Sequence, residues 1–128
     1  MASNPDELNR LTMKTFEGMI PGLADRCHVF LVDTSELDDE LVLLFRDHIN
    51  NLVLSIHTAV TGRSEPDVRR AAHSLLGMGG TMGVPALSVV AEELSAGIKR
   101  GDYSRCFELS EGLRNWVAAW SEEGISES

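Results

Sequence analysis

Residues 64–85 read SEPDVRRAAHSLLGMGGTMGVP, and they carry the clearest structural pattern in the chain. This stretch begins with Ser64, a helix-capping residue type, and with Pro66, which fits the first turn of a helix. Apolar or small residues then recur every three or four positions, which is the spacing of one buried helix face: Val68, Ala71 or Ala72, Leu75, Gly79 and Met82. Gly83 and Pro85 are typical of the point where one helix ends and another begins. The stretch therefore predicts one amphipathic helix of a bundle.

Two further helices are predicted before this stretch. The first ~20 residues form a short helix that ends at Pro21-Gly22, and residues 23–33 are interpreted as a connector. A long helix begins after the capping residues Thr34 and Ser35 and ends near Val60, with Gly62 as its stop signal. Its apolar stripe is wide enough to contact two neighbouring helices: Leu41, Val42, Leu44, Phe45, Ile49, Leu52, Val53, Ile56 and Ala59.

Two helices are predicted after it, one from Pro85 to the turn at Gly101-Asp102 and one ending near Trp120. The last helix has its own stripe: Phe107, Leu109, Leu113, Trp116, Val117 and Trp120. Short connections favour antiparallel neighbours, so the sequence predicts an all-α fold, an antiparallel up-and-down four-helix bundle with an additional N-terminal helix. We divide the chain into an N-terminal helix and connector capping the bundle (1–34), the bundle (35–121) and a frayed polar tail (122–128).

Composition excludes several classes of protein. The chain has 128 residues, 43% of them hydrophobic, which suits one domain with its own core. Its 20 acidic residues outnumber 11 basic ones, giving a net charge of −9 that disfavours nucleic acid and suits a protein partner. The N-terminus does not resemble a signal peptide, and the longest apolar run, Leu41 to Phe45, is too short for a membrane span. We expect a cytoplasmic monomer with Cys27 and Cys106 reduced.

Three glycines crowd the second half of the 64–85 helix, although each costs about 1 kcal/mol relative to alanine. Gly79 lies on the buried stripe, where close helix packing explains it. Gly77 and Gly80 instead share a face with His73, because consecutive helical residues are rotated by about 100°. Bare backbone beside an exposed imidazole would let another protein bring a reactive group close to the ring.

The run from Ala72 to Gly83 resembles the motif of the histidine-containing phosphotransfer (HPt) family, which reads His-x-Leu-Lys-Gly followed by small residues and a later Gly. The lead-in at residues 66–72 and the later Leu, Glu-Leu and Gly-Asp pattern at residues 87–102 are also similar to that family. The resemblance covers roughly residues 37–120.

This resemblance implies that His73 is the phosphorylated nucleophile and that Gly77 leaves room for the phosphoryl group. Such proteins accept phosphoryl groups from, or pass them to, the receiver domain of a response regulator or a hybrid histidine kinase. The chain would then be a phosphocarrier rather than an independent enzyme, with no cofactor of its own and with Mg²⁺ on the partner receiver. The alternative is a non-catalytic HPt-like adaptor that binds or sequesters a response regulator.

The sequence departs from the family motif at Leu76, where the family usually has lysine. Arg69 and Arg70 lie on the His73 face one turn earlier and are candidates to support the phosphoryl oxygens in its place. Leu76 and Met78 could form an apolar rim onto which a receiver docks. An equally weighted alternative is that Leu76 only covers the edge of the bundle.

The other histidines do not suggest a metal site. His48 and His57 are nine residues apart on one helix and point in nearly opposite directions, whereas chelating pairs are three or four residues apart. His28 lies in the connector and is interpreted as incidental. We therefore expect no metal ligands in this chain.

Overall fold

The structure of the protein is a computed structural model that describes residues 5–28 and 39–125. Every regular element in these two ranges is a helix, which confirms the all-α prediction. The helices are α1 (Pro5–Phe16), α2 (Leu23–Cys27), α3 (Asp39–Thr61), α4 (Glu65–Met82), α5 (Pro85–Lys99) and α6 (Tyr103–Ile125).

Helices α3 to α6 form the predicted antiparallel bundle. Each packs against the next, and α6 also packs against α3, so that the four helices enclose one core. Only two or three residues connect successive helices of this bundle, and such short connections force neighbours to run in opposite directions. All the residues predicted for the inner stripe of α4 are buried, and the largest side chains of the core are Trp116 and Trp120.

The N-terminal segment packs on one side of this bundle and supplies polar contacts as well as apolar ones. The Asn9 side-chain oxygen accepts a hydrogen bond of 2.9 Å from the backbone N–H of Ala86. This N–H lies in the first turn of α5, where backbone N–H groups have no acceptor within the helix. Arg26 of α2 and Arg105 of α6 both form ion pairs with Glu93 of α5, at 2.9 and 3.0 Å. Burial alone would raise the pKa of the Glu93 carboxyl, but the hydrogen bonds from the two arginines outweigh burial and lower this pKa. Arg105 also donates a hydrogen bond of 2.6 Å to the carbonyl oxygen of Met19, so segment 5–28 is fastened to both α5 and α6.

The predicted connector at residues 23–33 is partly wrong, because Leu23–Cys27 forms the short helix α2. Gly22 precedes it with a φ of 70°, a left-handed conformation that glycine adopts without strain, and the turn directs Leu23 into the core. The rest of the predicted connector from Val29, and the capping residues Thr34 and Ser35, lie outside the described residues.

The turn between α3 and α4 also differs from the prediction. Arg63, rather than Gly62, has the positive φ, at 52°. Two contacts with Tyr103 hold Arg63 in this strained conformation. The Arg63 carbonyl oxygen accepts a hydrogen bond of 3.2 Å from the Tyr103 hydroxyl, and the Arg63 guanidinium lies 5.4 Å from the centroid of the Tyr103 ring. Ser64 is at the N-cap position as predicted, but its hydroxyl donates to Asp67 instead of accepting a backbone N–H.

The C-terminal helix is longer than predicted, since α6 continues to Ile125 rather than ending near Trp120. Ser121, Glu122 and Glu123, which follow Trp120, include neither proline nor glycine, so the sequence has no stop signal there. Residues 126–128 lie outside the described part of the chain. None of the described helices combines the length and the apolar character needed to cross a membrane.

Candidate functional site

The outer face of α4 contains the predicted histidine and two bare glycines. His73, Gly77 and Gly80 are all exposed. A Cβ atom added at Gly77 or Gly80 would meet no heavy atom within 4 Å, apart from the helix's own nearby backbone. The helix backbone is therefore bare at Gly77 and Gly80, one and two turns beyond His73.

The inner face of α4 uses glycine differently. A Cβ atom at Gly79 would lie 2.7 Å from the backbone nitrogen of Ser88 and 3.1 Å from the carbonyl oxygen of Val84. The Ser88 hydroxyl also donates a 3.0 Å hydrogen bond to the carbonyl oxygen of Leu76. The predicted close packing at Gly79 is confirmed, and it holds α5 against α4 beneath the exposed histidine.

His73 lies at the edge of a groove of about 550 Å³ between α4 and α5, which we call the α4–α5 groove. The side chains larger than alanine that line it are Arg69, His73 and Leu76 on α4 and Glu92, Ser95 and Lys99 on α5. The groove is open to solvent, so the His73 ring can be reached both by water and by a partner molecule.

The structure separates the two arginines predicted to support the phosphoryl group. Arg69 lines the α4–α5 groove with His73 and forms an ion pair with Glu65 one turn earlier. Arg70 lines a different groove, between α3 and α4, and pairs with Asp67 at 3.2 Å. Only Arg69 therefore shares a groove with the histidine.

The two residues predicted to dock a partner are also separated. Leu76 is half-buried and lines the α4–α5 groove beside His73. Met78 is half-buried too, but it packs against the core and is absent from the linings of both grooves that flank α4. Its position, about 140° around the helix from His73, explains why it is not beside the ring.

Three polar groove residues were missed by the sequence reasoning, and all three are on α5. Glu92, Ser95 and Lys99 are three and four residues apart, so they share one face of that helix. Glu92 is held by Arg26 at 3.2 Å. The spacing on α5 is visible in the sequence, but its register against α4 is not.

The remaining histidines have ordinary surroundings. His28 and His48 are exposed. His57 lies 3.4 Å from the Ser110 hydroxyl and 3.5 Å from an Arg114 nitrogen, with Phe107 packed against its ring. Within residues 5–28 and 39–125, no three His, Cys, Asp or Glu side chains cluster closely enough to hold a metal ion.

Comparison with protein families matches residues 40–123 to the Hpt domain. The chain belongs to the Hpt domain family. The match spans nearly all of α3 to α6, and with them His73 and both sides of the α4–α5 groove, whereas α1 and α2 lie outside it. Comparison with curated proteins and with solved structures gives no match.

Membership of the Hpt family has direct consequences for the chemistry. Hpt domains carry phosphoryl groups on histidine in phosphorelays, and they are phosphocarriers rather than kinases. In general they interact with receiver domains and with kinases. The match to residues 40–123 confirms the predicted family, over nearly the same residues as the sequence resemblance indicated.

Proposed function

We propose that this Hpt domain accepts a phosphoryl group on His73 and passes it to, or receives it from, the aspartate of a receiver domain. The observation that carries the proposal is the exposed His73 ring beside Gly77 and Gly80, where added Cβ atoms would meet nothing within 4 Å. A receiver can therefore bring its aspartate towards the ring without meeting a side chain at those two positions.

The transfer exchanges one bond to phosphorus for another. The lone pair of an unprotonated ring nitrogen of His73 attacks the phosphorus of an aspartyl phosphate. The bond between phosphorus and the aspartate oxygen breaks, and its electron pair returns to the carboxylate. The phosphorylated ring carries a positive charge until its other nitrogen releases a proton to water. The same steps in reverse return the phosphoryl group to an aspartate.

Such a transfer depends on in-line approach and on neutralising the phosphoryl charge more than on covalent help from the protein. The receiver supplies the aspartate and the Mg²⁺, while this chain supplies the nucleophile and the surface around it. Leu76 lies in the groove beside His73 and offers the partner an apolar contact. The net charge of −9 suits a partner with a basic or mixed face.

Phosphoryl exchange with a phosphorylated receiver domain tests this proposal. The full chain is mixed with a phosphorylated receiver domain and Mg²⁺, and the acid-labile, base-stable phosphoryl mark on the chain is followed with time. We expect the mark on the wild type and its loss in His73→Gln, because the glutamine amide is not a nucleophile towards phosphorus. His48→Gln is the matched control, since His48 is an exposed histidine on the neighbouring helix α3.

The far-UV circular dichroism of both variants should match the wild type. An undiminished mark in His73→Gln would contradict the assignment of the nucleophile. Stable binding of the receiver by the wild type without any mark would overturn the relay function and support the adaptor alternative, for which the leucine at position 76 is the motivation.

A further inference from the structure

The α4–α5 groove lacks the cation that the family motif places one turn after the histidine, because that position is Leu76. A phosphoryl group on His73 would add negative charge at this surface, and a nearby cation lowers the free energy of such a group through charge-assisted hydrogen bonds. The charged and polar side chains that the fold brings to the groove therefore decide which residue can supply this contact.

The two arginines on α4 are poorly placed for the role. Arg69 lines the groove, but its guanidinium is already paired with Glu65. Arg70 lines the other groove and is paired with Asp67. Each would have to give up part of an existing ion pair to bind the phosphoryl oxygens.

Lys99 is different, because its ammonium group makes no ion pair with any side chain in the described part of the molecule. It lines the same groove as His73, from the opposite wall. Glu92, the acidic residue that lines the groove, forms its ion pair with Arg26, at 3.2 Å, and not with Lys99. Lys99 is thus the uncommitted cation of the groove among the described residues.

Ser95 supplies a second contact from the same wall. It lies one turn before Lys99 on α5 and also lines the groove. Its hydroxyl forms no side-chain hydrogen bond within the described ranges. A hydroxyl and an ammonium one turn apart form a pair of donors suited to two oxygens of one phosphoryl group.

We propose that Lys99 and Ser95 of α5 bind the phosphoryl group carried by His73, so that the second wall of the groove replaces the lysine missing at Leu76. This inference rests on the proposed function, because it takes phosphorylated His73 as the ligand. It assigns the phosphoryl contact to α5 and leaves the surface over Gly77 and Gly80 clear for the partner's approach.

A small phosphodonor tests the groove without any partner protein. With phosphoramidate, a ring nitrogen of His73 attacks phosphorus, the phosphorus–nitrogen bond breaks, and its electron pair leaves with ammonia. The rate of phosphohistidine formation is measured for the full-length wild type, Lys99→Gln, Lys99→Arg and Ser95→Ala. Arg100→Gln is the matched control, because it removes one positive charge from the adjacent exposed residue, which is not among those lining the groove.

We expect Lys99→Gln to slow phosphorylation by about threefold to tenfold, the range for a charge-assisted contact in an open groove. Lys99→Arg should restore most of the rate, and Ser95→Ala should slow it by about twofold to threefold. Arg100→Gln should leave the rate within about twofold of the wild type. The effect of Lys99→Gln should shrink at high salt, because solvent-exposed charges are screened.

Equal rates for Lys99→Gln and the wild type would overturn the inference while leaving the proposed function intact. Equal slowing by Lys99→Gln and Arg100→Gln would also overturn it, since net charge alone would then explain the rates. A wild-type chain whose His73 gains no phosphoryl group would overturn the proposed function and this inference together.

Discussion

The inner and outer faces of α4 both contain glycine, but the two faces need it for opposite reasons. On the inner face, Gly79 lets the backbones of α4 and α5 approach so closely that a Cβ atom would lie 2.7 Å from the Ser88 nitrogen. On the outer face, a Cβ atom added at Gly77 or Gly80 would meet nothing within 4 Å outside the nearby helix backbone, and the backbone there is bare beside His73. Glycine in a helix interior, at a cost of about 1 kcal/mol, can therefore serve close packing on one face and access on the other.

The largest expected effect comes from adding a methyl group to the inner face. Gly79→Ala should lower the free energy of unfolding by about 2 kcal/mol, because the new Cβ forces α5 away from α4 and strains the contact with Ser88. Chemical denaturation of the variant and the wild type measures this difference. A variant as stable as the wild type would show that the two helices can separate at no cost.

A bulky side chain on the outer face should affect transfer instead of folding. Gly77→Leu should slow phosphoryl exchange with a receiver by about tenfold, because the side chain obstructs the approach to His73, while leaving the fold intact. The matched measurement is phosphorylation by phosphoramidate, which is small enough to reach the ring and should change much less. Wild-type exchange with the receiver would remove the access role assigned to Gly77.

The smallest expected effect is a gain in stability. Gly80→Ala should raise the free energy of unfolding by about 0.5–1 kcal/mol, because alanine favours the helix and its methyl group meets open space. Denaturation under the conditions used for Gly79→Ala provides the check. If both alanine variants, one residue apart, were destabilised to the same extent, the distinction between the two faces would be wrong.

Much of α4 could be predicted from the sequence because its signals are local. The capping position, the buried stripe and the faces of the three glycines all follow from residue order and the helix period. His73 could be singled out for the same reason, since the glycines that clear its surface are on its own helix.

Residues on neighbouring helices could not be placed in this way. Lys99 and Ser95 share a groove with His73 only because α5 folds back against α4 in one register, in which Gly79 packs closely against Ser88. Arg70 shows the converse, because the one-dimensional pattern placed it with His73 while the neighbouring helix α3 puts it in a separate groove. A groove is formed by two neighbouring helices, whereas the hydrophobic periodicity of a sequence describes only one helix.

Two predicted core residues show where counting by threes and fours fails. Leu44 and Phe107 are 70% and 42% exposed, although each was assigned to a buried stripe. The buried faces of α3 and α6 are centred near Ile56 and Leu113, respectively. Leu44 lies about 120° around α3 from Ile56, and Phe107 lies about 120° around α6 from Leu113. An apolar residue at the margin of a stripe fits the spacing and still points to solvent.

The most direct test of the account is to find which residue carries the phosphoryl group. The full chain is phosphorylated by a phosphorylated receiver domain and then digested at alkaline pH, because phosphohistidine is stable there. The peptides are analysed by mass spectrometry. We expect one phosphoryl group per chain, on the His73 side chain of the peptide that contains it. A phosphoryl group on His28, His48 or His57, or on a hydroxyl or carboxyl group, would contradict the assignment of the outer face of α4 as the site of transfer.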